Sequence, residues 1–145
     1  MTGLALERAI ASTILVFGRR ALAHLRVLEP CDLTGTFREI AEVVSAVTDP
    51  GEPVDLVAVA SLLTARGSRL TQRNLEWLAA LAEEETYVPR SVEVLENELV
   101  RERLRTRCEF VGRRLLVLAR ERDVDLRGEV CVLAEALRLA AERAT

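Results

Sequence analysis

Residues 91–122 read SVEVLENELVRERLRTRCEFVGRRLLVLARER. They hold no proline, and Gly112 is their one glycine. So long a run with so few breakers predicts a single helix, about 45 Å long at 1.5 Å per residue. Ser91 is placed to cap its start. Within it Leu104, Cys108, Val111, Leu115 and Leu118 step 4-3-4-3, the spacing of a helical seam. Asp123–Gly128 reads as a turn, and a last helix over Glu129–Arg143 answers with Val130, Leu133, Leu137 and Ala140. A short connection between two such helices predicts an antiparallel hairpin. Closing that seam leaves a second strip over, Leu116, Val117, Leu126, Val132 and Leu139. Surplus apolar surface of this kind is usually covered by the rest of the chain or by another chain.

Upstream of this stretch the pattern stays helical. Leu6, Ile10, Ile14 and Phe17 form one stripe of a helix over Leu4–Phe17. A shorter helix is expected over Arg20–Val27. Pro30 then turns the chain, because it disfavours the helical region at Glu29. Thr34 or Thr36 caps a helix carrying Phe37, Ile40, Val43, Val44 and Val47. The strongest punctuation is Asp49-Pro50-Gly51-Glu52-Pro53. Asp55 follows as an N-cap for a helix from Leu56 to about Arg66, with Gly67 as its C′ residue. Thr71 opens a further helix with Leu75, Leu78 and Leu81 on one face. The expected fold is therefore all-α: a small helical head over residues 1–90 and a helical hairpin over 91–145.

Composition agrees with that class. The chain has 145 residues, 50% of them hydrophobic but 3% aromatic. Leu and Ala dominate, with 24 and 19 copies, whereas strands favour β-branched and aromatic residues. The longest run resembling a membrane span, Ala9–Phe17, is far short of the roughly 20 residues that a spanning helix needs. No secretory leader pattern opens the chain, and three widely spaced cysteines suit reduced thiols. The expectation is a soluble cytoplasmic protein with no membrane contact.

Residue patterns that carry chemistry are scarce in this chain. With no lysine there can be no GxxxxGK[ST] phosphate loop, and GxGxxG and GxSxG are absent. His24 has no carboxylate pattern around it, and Cys31, Cys108 and Cys131 lack metal-ligand spacing. Cys108 on the seam and Trp77 beside Leu75 and Leu78 read as packing residues. No catalytic, cofactor-binding or metal-binding residue is assigned. Charge is segregated instead: seven acids and one arginine from Glu76 to Glu98, then eight arginines and three acids from Arg101 to Arg122. The simplest reading is solvated helix faces. Binding of nucleic acid through the arginine-rich helix 101–122 is the alternative function, weakened by a net charge of −3.

One resemblance goes further. Gly51-Glu52-Pro53-Val54-Asp55-Leu56, the helix to Leu63, and Arg66-Gly67 resemble the amino-terminal domain of DnaB-type replicative helicases, with their G-x-P-(V/I)-D-(L/I/V) turn, helix and glycine. Leu6-Glu7-Arg8-Ala9-Ile10, Leu28-Glu29-Pro30-Cys31-Asp32-Leu33, Thr36-Phe37-Arg38-Glu39-Ile40, Trp77-Leu78-Ala79-Ala80-Leu81 and Leu99-Val100-Arg101-Glu102 resemble further landmarks of that family in order. Two departures stand out: Leu33-Thr34 replaces the usual Phe or Phe-Tyr, and Ser68–Asn74 carries none of the usual glycines. The resemblance makes Gly51, Pro53, Asp55 and Gly67 a structural signature. It implies a helical head followed by a hairpin that pairs between subunits, and a surface on which primase docks. The family's ATPase motor has no counterpart in these residues. The expected function is a non-catalytic interaction and oligomerisation module in DNA replication and primosome assembly. Its partners would be a second copy, giving a homodimer or higher oligomer, and replicative helicase or primase, with DNA engaged only indirectly. The expected interface is Leu104, Cys108, Val111, Leu115, Leu116, Leu118, Val130, Leu133 and Leu137.

Overall fold

Nine of the ten residues from Leu6 to Leu15 are buried, which makes the first helix the centre of its neighbourhood. A helix buried on nearly every side must be enclosed by others. The computed structural model describes residues 2–47, 54–67, 74–84 and 87–143. Among them the chain forms α1 (Gly3–Phe17), α2 (Arg19–Leu22), a 3-10 turn (Pro30–Asp32), α3 (Gly35–Val47), α4 (Leu56–Ala65), α5 (Asn74–Glu84), α6 (Ser91–Leu118) and α7 (Leu126–Arg143), and no strand. The fold is all-α.

The chain divides into two compact units, 1–96 and 97–145. The division falls within α6, beyond the Ser91 start where the sequence suggests it. In the first unit α1 packs against α2, α3 and α5, while α4 closes against α3 and α5. Ile10, Ile14 and Leu15 of α1 meet a core that includes Leu33, Ile40, Leu63, Leu78 and Leu81. Buried polar groups on α1 are satisfied. The Ser12 hydroxyl donates to the Leu81 carbonyl at 2.7 Å, and Thr13 to the Ala9 carbonyl at 2.8 Å. The Glu7 carboxylate accepts from the Thr34 amide at 2.6 Å and from the Thr34 hydroxyl. At the rim Arg8 grips Glu84 with two bonds of 2.6 Å.

Chain ends of helices follow local chemistry. Thr2 caps α1 by accepting the Ala5 amide at 3.2 Å. Gly18 ends α1 at φ +61° and ψ −134°, a conformation open in practice to glycine, and so turns the chain straight into α2. Asp55 caps α4, accepting from Val57 at 3.0 Å and Ala58 at 3.4 Å. Gly67 follows α4 with φ +71°. Gly51 and Pro53 lie outside the described residues, as does Thr71.

Three helix ends differ from expectation. The second helix stops at Leu22 and does not reach Val27. The amides of Arg26, Val27 and Leu28 instead converge on the buried carboxylate of Glu96, at 2.9–3.1 Å. Helix α6 ends at Leu118, short of Arg122, because Arg120 and Glu121 tighten to i−3 carbonyls. It runs unbroken through Gly112. Helix α7 starts at Leu126, earlier than Glu129, because Asp125 accepts the Gly128 amide at 3.1 Å and acts as its cap.

Candidate interaction surface

The second unit is built from the rest of α6, the connection after it, and α7. Its core is small. Val111 and Leu118 of α6 cluster with Leu133 of α7, and Val124 packs against them. Val111 and Leu118 are seven residues apart, so they lie nearly above one another on the helix. The buried contact is thus a narrow line.

The residues expected at the interface separate into three groups. Val111, Leu118 and Leu133 are buried together. Leu104 and Leu137 are half-buried. Leu115, Leu116 and Val130 are exposed, at 37%, 65% and 39%. Cys108 is also exposed, which corrects its reading as a packed seam residue. The heptad spacing is wider than the actual contact, because only every second seam position on α6 after Leu104 is enclosed. Trp77 is half-buried.

The leftover strip is exposed throughout. Leu116 and Val132 stand 65% and 66% open, with Val117, Leu126 and Leu139 at 46–50%. Phe110, at 58%, joins them, although it belongs to neither strip read from the spacing. The signal was available, since Phe110 lies seven residues before Val117 and shares its side of α6. At about 100° per residue, Phe110 and Val117 sit about 100–120° from the Val111–Leu118 line. Val132 and Leu139 have the same offset, in the same sense, from Leu133.

The arginines do not form one stripe. Arg101 and Arg105 fall on one side of α6, while Arg103, Arg107 and Arg114 fall on the other. Arg105 is tied to Glu102 at 3.0 Å. On α7, Arg138 bridges Glu135 at 2.6 Å and also Glu142.

Among the described residues no group of three or more His, Cys, Asp or Glu side chains could hold a metal ion. Nor is any described helix long and apolar enough to cross a membrane. Burial and the charges of Asp32 and Glu29 push the Cys31 thiol up, away from the reactive thiolate form. Comparison with protein-family models, with curated proteins and with solved structures gives no match to this chain.

Proposed function

We propose that the chain is a non-catalytic interaction and oligomerisation module whose second unit is the contact surface. One observation carries this. Among the described residues, 97–143 bury four apolar side chains yet expose eight large ones. Exposed apolar side chains that gather into one patch mark a contact surface. Read as an antiparallel pair, α6 and α7 bring Phe110, Val117, Val132 and Leu139 to one side, since equal offsets in such a pair share a side. Leu116 then lies apart from that side.

A role in DNA replication, through helicase subunits or primase, rests on the ordered landmarks shared with the DnaB amino-terminal domain. The Asp55 cap and the positive φ of Gly67 are in keeping with that signature. The arginine-rich alternative is less well supported, because the arginines surround α6 and the chain is acidic overall.

The test is the mass in solution. The unaltered chain is expected to self-associate, and Leu116→Glu or Val132→Glu to reduce its mass by sedimentation without loss of helical signal. Which of the two acts more strongly identifies the contact side. An unchanged mass in both removes the oligomer reading. Binding of purified helicase and primase is a separate assay, and failure of both removes the replication role alone.

A further inference from the structure

Phe17, Arg20, His24, Val88, Pro89 and Arg90 line an open groove, and all six belong to the first unit. Its makeup is unusual for this chain. Three of the six side chains are basic, three are apolar, and none is acidic. Elsewhere the described arginines are often paired: Arg8 with Glu84, Arg26 with Glu93, and both Arg38 and Arg66 with Glu42. Among the described residues no ion pair or side-chain hydrogen bond engages Arg20, His24 or Arg90.

Gathering cations without a counter-charge raises the energy of the free protein, and a bound anion lowers it. Arginine forks match carboxylates in geometry, and the imidazole of His24 adds a ring donor. The apolar floor of half-buried Phe17 and Pro89, with Val88 beside them, can take one side chain. We infer that this groove binds a short acidic peptide segment of a partner protein, with an apolar residue next to its carboxylates.

A nucleic acid fits less well. The first unit carries nine arginines against fourteen acids. A polyanion reaching beyond the groove by more than a Debye length, about 10 Å, would meet that negative field. A short peptide would feel the groove alone. Phe17 is also the one hydrocarbon aromatic ring in the lining, with the His24 imidazole the only other aromatic ring, a poor platform for a run of successive bases.

The experiment is an amide-shift titration of the ¹⁵N-labelled full chain. The probe is the capped peptide Gly-Asp-Leu-Glu-Phe-Gly. Its Asn/Gln counterpart and a short oligothymidylate are run beside it. The acidic peptide should give saturable shifts centred on Arg20, His24 and Arg90, and the Asn/Gln peptide none. The double variant Arg20→Gln/Arg90→Gln should bind roughly tenfold more weakly or worse, the loss expected for charge-assisted hydrogen bonds. Arg105→Gln, in the other unit, should bind as the unaltered chain does. Both arginines are exposed, and an unchanged circular dichroism spectrum shows that the variant is folded. No saturable shift at the groove, equal binding of the uncharged peptide, or tighter binding of the oligothymidylate to the same residues would each overturn the inference.

Discussion

The two units bury apolar side chains in opposite proportions. Among the described residues the first encloses eighteen and exposes nine large ones; the second encloses four and exposes eight. The first unit wraps several helices around α1, so each core side chain has neighbours on all sides. In the second, the described core is Val111, Leu118 and Leu133 with Val124 against them, and most of the large apolar side chains are exposed. Two helices cannot bury what a five-helix layer can. A unit built this way gains most from a partner.

Core truncations should separate the units most sharply. Ile14→Ala in α1, at 0% exposure, is expected to cost about 4 kcal/mol, within the range for fully enclosed side chains. Leu133→Ala, at 9% exposure in a three-residue cluster, should cost about 2 kcal/mol, because the thin layer around it can collapse. Urea unfolding of both variants measures this. Equal losses would break the contrast.

Glycine offers the next test. Gly18→Ala should destabilise by about 2 kcal/mol, since its φ of +61° and ψ of −134° strain any side chain. Gly112→Ala should do the reverse. A Cβ there meets nothing within 4 Å, and alanine in a helix interior is better by about 0.5–1 kcal/mol. Thermal melts of the two variants should shift in opposite directions. Asp55→Ala comes next, at about 1 kcal/mol for a lost cap, read by the same method.

The smallest effect is electrostatic and depends on pH. Hydrogen bonding to the Arg8 guanidinium holds the Glu84 carboxyl below its ordinary value. The folded form therefore keeps this proton off more readily than the unfolded chain does. Its contribution is complete above the ordinary carboxylate value, about 4.3, and disappears as pH falls through the lowered value. Glu84→Gln should lower the urea midpoint slightly at neutral pH and leave it unchanged well into acid.

Much of the first unit was legible from local pattern. The stripe Leu6, Ile10 and Ile14 is buried, and Asp55 caps where its position before Leu56 suggests. Both signals act within one or two turns. The short α2 was not legible, because the groups that end it pair with Glu96, about seventy residues away in sequence. The start of α7 was hidden by Gly128, which reads as a turn residue but donates to its own helix cap. At the candidate surface, spacing found Leu116, Val132 and Leu139 but placed Cys108 and Val130 in a seam that is narrower than their spacing. A heptad pattern gives the side of a helix; how far the contact spreads from its centre depends on the neighbouring helix.

Glu96 carries one more consequence. Its carboxylate, 1% exposed, receives the amides of Arg26, Val27 and Leu28. During synthesis those amides are therefore expected to stay bonded to water until the first turns of α6 emerge from the ribosome. Closure of residues 23–29 is then expected to come last in the first unit, after α1–α5 have been made. A nascent chain halted before Glu96 should stay sensitive to protease around residues 23–29, and one extended past it should become resistant at a single step.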